Sequence, residues 1–236
     1  MNQIRGLLFD LDGTLIDTNP LHVEAWLGAF ADVGRPIARE SIEGQIGKGG
    51  DNLLPALLGP ALAEELGERI TARRSQRFQE LVEARGVAFL RGARSVLSEA
   101  KAYKYRTAIV SSASQSDLRL LGKAVGMDLA NLVDVVVPGD RAEKTKPAPD
   151  LVNLGCHALH LPPSRCVMVG DSVYDGVAAG RAGAMFVGVR TGFASRTDLA
   201  DAGARVILKN LEVLARSVVA ILSSLGEGAL TVSERP

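Results

Sequence analysis

The sequence predicts an α/β fold: a Rossmann-like parallel sheet with helices on both faces, interrupted by an inserted all-α cap domain. Three observations predict it. Apolar runs of four to six residues end in polar turn residues, the pattern of parallel strands buried on both faces. Helically periodic segments alternate with these runs, as right-handed βαβ units require. The stretch that follows the first run breaks the alternation and reads as helix alone.

In chain order, residues 4–9 form the first apolar run and end in Asp-Leu-Asp-Gly. Further strands are expected at 107–110, 133–137, 166–169 and 184–189, with a weaker one at 205–208. Helical periodicity marks 93–102, 117–125, 149–159 and 174–182 between them. The inserted segment offers helices at 21–33, 53–58 and 62–84, with a glycine-rich loop, GQIGKGGDN, at 44–52. The resulting division is a core first strand in 1–16, a helical cap in 17–87, the rest of the core in 88–225 and a tail at 226–236 expected to fray. Linkers are expected near 16–19 and 86–91.

The bulk composition narrows the functions available. Lys+Arg and Asp+Glu are both 27, so the net charge is zero and nothing recommends a nucleic-acid or membrane-surface partner. Cys156 and Cys166 have neither a disulfide-framework nor a zinc spacing; they read as small buried apolar groups in a reducing compartment. Strand-like sequence starts within a few residues of Met1, leaving no room for a signal peptide, and no apolar run nears the ~20 residues of a spanning helix. The expected location is the cytoplasm. Oligomeric state has no signature in the sequence.

Four polar clusters each follow a predicted strand. In Asp10-Leu11-Asp12-Gly13-Thr14, residues i and i+2 of extended chain point the same way, so both carboxylates share one space. Each raises the other's pKa unless a cation intervenes. A calcium loop is a poor alternative, because Thr14 and Ile16 do not continue the ligand series. Ser111 and Ser112 follow the second strand, where hydroxyls and backbone N–H groups can cradle phosphate oxygens. Lys146 directly precedes Pro147-Ala148-Pro149, a stiff approach to a helix in which Pro149 suits the first turn; Lys144 is its near rival. Asp171 ends the fourth strand, and Asp175 follows in the first turn of the next helix, where capping by Asp171 or Ser172 is the plainer reading. In open α/β sheets ligands bind beyond the carboxyl ends of the strands. Carboxylates, a lysine and hydroxyls gathered there suit Mg²⁺ and phosphoryl transfer.

These motifs, in this order and with a helical insert after the first, resemble those of the haloacid dehalogenase superfamily over residues 4–210. The nearest flavour is the phosphoglycolate phosphatase and β-phosphoglucomutase branch. The resemblance implies a Mg²⁺-dependent phosphatase acting on a small phosphorylated metabolite, with a β-phosphoglucomutase-type phosphomutase as the alternative. It implies that Asp10 attacks phosphorus, that Asp12 serves as acid and then base, and that Lys146 neutralises Asp10 and the transferring group. Ser111 and the N–H of Ser112 would bind phosphoryl oxygens. The metal would be held by Asp10, the Asp12 carbonyl and Asp171, supported by Asp175. Asp12 argues against dehalogenation, which has no use for an acid there. A phosphonate hydrolase would need a cap lysine, and Lys48 alone could supply it. The loop carrying Lys48, Asp51 and Asn52 is the candidate for substrate recognition. His22, Trp26 and Arg35 could line the same cleft, but His22 is expected to pack and is given no role.

Overall fold

The computed structural model of the chain describes residues 3–226. Six parallel strands form one sheet: β1 (Gly6–Phe9), β2 (Arg106–Val110), β3 (Val135–Val137), β4 (Cys166–Gly170), β5 (Met185–Val189) and β6 (Ala204–Leu208), in the order β3-β2-β1-β4-β5-β6. The chain runs outward from β1 to β3, then returns to build β4 on the other side of β1. That reversal opens a crevice at the carboxyl ends of β1 and β4, where such folds bind ligands. Phe9 stands level with Val169 and the Asp10 N–H donates to the Val169 carbonyl at 2.9 Å, so Asp10 and the residues after β4 emerge side by side.

The helices are α1 (Asn19–Asp32), α2 (Arg39–Glu43), α3 (Gly50–Leu58), α4 (Pro60–Arg85), α5 (Ala93–Ala102), α6 (Gln115–Ala124), α7 (Asp150–Ala158), α8 (Val173–Ala182), α9 (Arg196–Asp201), α10 (Leu211–Arg216) and α11 (Val218–Gly226). Two apolar clusters fill the two faces of the sheet. A third lies within the insert, around Val23, Trp26, Phe30, Ile42, Leu53 and Ile70. The insert is not self-contained, because Leu21, Ala25, Phe78 and Val82 join the core cluster. Its two connecting segments lie against each other: Asp17 donates to the Ala88 carbonyl at 3.0 Å and Leu90 to that of Leu15 at 2.9 Å. Backbone hydrogen bonds thus pair the two crossings expected near 16–19 and 86–91.

Several expected boundaries move. The third strand loses Val133 and Asp134, whose side chain instead accepts from the Thr107 N–H at 2.7 Å. Pro149 is the N-cap of α7 and not a residue of its first turn. The glycine-rich loop is shorter than its composition suggests: Gly50, Asp51 and Asn52 already form the first turn of α3, because Gly49 is extended and starts the helix. The weak run at 205–208 is a full edge strand, and α9 to α11, unmarked by periodicity, flank it. Gly226, expected to fray, closes α11; the rest of the expected tail, 227–236, lies outside the described residues. Cys156 and Cys166 are free and buried. Among the described residues no helix is long and apolar enough to cross a membrane.

Candidate active site

The carboxyl ends of β1, β2 and β4 and the loop before α7 converge on one buried cluster. Lys146 is fully buried and its Nζ lies 2.5 Å from Asp10 Oδ1 and 2.7 Å from Asp175 Oδ1. Lys144, two residues away, is exposed. Asp10, Asp171 and Asp175 each offer a carboxylate oxygen within 4.8 Å of the others. Asp171 Oδ1 accepts from the Thr14 hydroxyl at 2.6 Å and its Oδ2 from Asn19 Nδ2 at 2.9 Å. Asp175 also completes a capping box: its Oδ2 accepts from the N–H and the hydroxyl of Ser172, the N-cap of α8. Of the two capping candidates Ser172 is the N-cap and Asp171 is not, while Oδ1 of Asp175 remains turned to the lysine.

Charge does not balance in this cluster. Three buried carboxylates face one ammonium. Burial pushes Asp10 well above the usual carboxylate range, and Asp175, Asp171 and Asp12 add to the shift against the opposing pull of Lys146. Burial and then Asp175 raise Asp171 to about 7, although Thr14 and Asn19 hydrogen bonds oppose them. Burial works to discharge Lys146, but Asp10 and Asp175 outweigh it and keep the ammonium charged. Oxygen-only donors with surplus negative charge are what a hard divalent cation requires, so the cluster fits Mg²⁺.

Asp12 sits beside this cluster in a different environment. Its Oδ1 accepts from the Thr18 hydroxyl at 2.6 Å and from His22 Nε2 at 2.8 Å, and Ser111 Oγ lies 3.4 Å from Oδ2. Burial would raise this carboxyl, but His22, Thr18 and Arg74 outweigh it and hold it at about 2. Arg74 Nη2 donates to His22 Nδ1, which places the ring proton on Nε2, facing Asp12. Arg74 also binds Asp117 at 2.6 Å and lies over the Phe78 ring, on which His22 stacks. His22, expected to pack, therefore does so through Phe78 and also holds Asp12. Its signal was its position: one helical turn after Thr18, it shares that residue's helix face. Arg74 and Asp117 join from α4 and α6, and no local pattern links them.

A cavity of about 160 Å³ opens onto Asp10, Asp12 and Ser111, bounded on the insert side by Trp26, Lys48 and Arg74. Arg35 is exposed and does not line it. Ser111 is fully buried, and its Oγ accepts from the Ala113 N–H at 3.0 Å; the Ser112 hydroxyl donates to the Gly47 carbonyl at 3.2 Å. Lys48 lines the cavity, bonds Gln45 at 2.6 Å and lies over Tyr174; burial lowers its pKa. Asp51 and Asn52 do not line it. Both bind Thr145, Asp51 through its N–H and hydroxyl and Asn52 Nδ2 through its carbonyl and hydroxyl, because the first turn of α3 points them at the loop before Lys146. They tie the insert to the core.

A profile of the haloacid dehalogenase-like hydrolases matches residues 4–183. The chain belongs to that family. The hydrolase is 31% identical over 210 residues to a Cupriavidus necator protein named "Phosphoglycolate phosphatase, plasmid", covering 88% of this chain and 90% of the relative. In three dimensions it is similar to a hydrolase from Pseudomonas syringae, with a TM-score of 0.82 and 27% identity over 92% of this chain and 99% of the other. It is also similar to CbbY from Rhodobacter sphaeroides, a D10N mutant solved with xylulose-(1,5)bisphosphate, with a TM-score of 0.74 and 28% identity over 89% and 96% of the two chains. The described fold of the hydrolase is therefore that of its family, sheet and helical insert together.

Proposed function

We propose that this phosphoric monoester hydrolase is a Mg²⁺-dependent phosphatase that cleaves a small phosphate monoester, phosphoglycolate-like or sugar-phosphate-like, through an aspartyl phosphate on Asp10. The observation that carries this reading is the Asp10 carboxylate, clamped by Lys146 at the floor of a cavity shared with Asp12 and Ser111. The names of the relatives support the substrate class. Asp10, Asp171 and the Asp12 carbonyl would hold the metal, with Asp175 supporting it, and the ion would supply positive charge to the phosphoryl oxygens.

In the first half-reaction the Asp10 carboxylate attacks phosphorus and the ester P–O bond breaks, leaving an acyl phosphate. The departing oxygen takes a proton from Asp12. Asp12 is ionised before substrate arrives, so it first takes that proton from solvent, an uptake that the dianionic ester beside it favours. In the second half-reaction Asp12 takes a proton from water as the water oxygen attacks phosphorus, releasing inorganic phosphate and restoring Asp10. Lys146 and the donors at Ser111 and Ser112 stabilise the equatorial oxygens, where charge is greatest. The insert acts as the cap domain, 17–87, and carries the leaving-group contacts.

The test is phosphate release from a metabolite panel with and without Mg²⁺, with Asp10→Asn as blank. Release that survives chelation would remove the mechanism; an isomerised sugar phosphate without free phosphate would make the enzyme a mutase. Lys48→Ala should raise KM for the best substrate far more than KM for a small aryl phosphate, and equal shifts would take Lys48 out of recognition.

The carboxylate shifts give a second expectation with a definite sign. Asp10 and Asp171 are raised on folding, so their contribution to stability is full below the ordinary carboxylate range and is lost as pH rises, through about 7 for Asp171. Asp12 is depressed, and its contribution is lost only as pH falls toward about 2. The metal-free protein should therefore melt at lower temperature at pH 8 than at pH 5, and saturating Mg²⁺ should raise Tm more at the higher pH. Calorimetry at both pH values checks this; a Mg²⁺ effect larger at pH 5 would contradict it.

A further inference from the structure

The metal cluster is approached from two sides. The first approach is the cavity over Asp10 and Asp12, which carries the cations Lys48 and Arg74. The second is a separate cavity of about 260 Å³ that reaches Asp171. Its lining includes Asn19, Glu43 and Asp198, and no lysine or arginine. The Glu43 carboxylate has a partly exposed Arg39 at 3.6 Å, a pairing that water and salt weaken. The Ser195 hydrogen bonds hold Asp198 below its ordinary range, so it is ionised.

Loop 44–47 divides the two. The Tyr174 hydroxyl donates to the Gly44 carbonyl, and the Ser112 hydroxyl donates to the Gly47 carbonyl. Ile46, held between these bonds, forms part of both walls. At Gly47 (φ 105°) a side chain would meet Ser172 Oγ at 2.6 Å, so the loop lies as close to the core as backbone allows.

Asn19 adds a second, independent feature. It is 4% exposed and gives its amide nitrogen to Asp171, yet its buried Oδ1 has no partner. Asn19 thus joins the lining of this cavity to Asp171, a metal-ligand candidate, and keeps a free acceptor beside it. Mg²⁺ sheds its waters reluctantly, and those waters donate hydrogen bonds.

We propose that the second cavity is the entry route of the divalent cation: the metal reaches Asp171 through the acidic opening lined by Asn19, Glu43 and Asp198, and the phosphate ester enters by the one that carries Lys48. The proposal rests on the magnesium reading above. It makes metal exchange independent of whether a phosphate fills the substrate cavity. A cleft serving both would trap the ion beneath the substrate.

Stopped-flow uptake of Mn²⁺ by the metal-free full chain, followed with a metallochromic dye, tests it. Saturating inorganic phosphate should change the association rate constant by less than about twofold, and Glu43→Lys should slow association about tenfold at low salt, with the effect fading as salt rises. Ala194→Trp, which narrows the same opening, should slow association and dissociation together and leave the Mn²⁺ affinity unchanged. Slowing in either variant with uptake open under phosphate supports the route. Uptake closed by phosphate, or wild-type rates in both variants, overturns it. Failure of the wild type to bind Mn²⁺ at all would overturn the magnesium reading with it, whereas tight binding with unaltered kinetics removes the route alone.

Discussion

Asp10→Asn should abolish phosphate release, lowering kcat by at least about a thousandfold on every ester the wild type cleaves. The amide keeps the shape of the side chain but has no lone pair basic enough to attack phosphorus. The same substitution should not destabilise the metal-free protein. It removes one of three negative charges crowded around a single lysine, and burial has already raised that carboxyl. Tm without metal should therefore hold or rise, while the Tm gain on adding Mg²⁺ shrinks because an anionic ligand is lost. The pairing of lost activity with retained stability separates a chemical role from a structural one. Phosphate release near the wild-type rate would end the case for this nucleophile; inactivity with a collapsed Tm would leave Asp10 a structural group.

Lys146→Met should damage both properties. The lysine is fully buried between Asp10 and Asp175, and methionine fills the space without the charge. Breaking a buried ion pair by removing one partner costs about 3–5 kcal/mol, because the surviving charges stay out of water. The loss should be greater in metal-free protein near pH 8 than near pH 5, because Asp171 gives up its proton at about 7 and adds a negative charge to the cluster. Added Mg²⁺ should recover part of it. Activity should fall by at least about a hundredfold, the scale on which a fixed positive donor acts at a developing charge. Lys144→Met is the control: an exposed side chain of this kind is worth about 0.5 kcal/mol or less. Urea denaturation at the two pH values, with phosphate release measured alongside, checks both effects. Equal behaviour of the two variants would deny Lys146 its special place.

The four motifs were legible because each is local. A strand that ends in Asp-x-Asp places two carboxylates in one direction without knowledge of the rest of the chain, and strand periodicity told where each motif would fall. What a local pattern does not reach depends on neighbours far away in sequence. Asp51 and Asn52 looked like recognition residues because glycines surround them, yet the helix that begins at Gly50 turns them onto Thr145. His22 looked like packing until Arg74 and Asp117, from two other helices, gave it a defined tautomer and an orientation toward Asp12.

The sequence by itself determined the layered α/β class, the helical insert and the list of groups with chemistry to offer. Alternation and periodicity act over a few residues, and a single chain records them directly. Only the tertiary structure decided the charge each group bears. Burial and the count of carboxylates against one ammonium raise Asp10 and Asp171, while His22, Thr18 and Arg74 hold Asp12 low. Electrostatic energy depends on distance and on the water excluded from a site, and both are fixed only when β1, β2, β4 and the insert close around the same few ångströms.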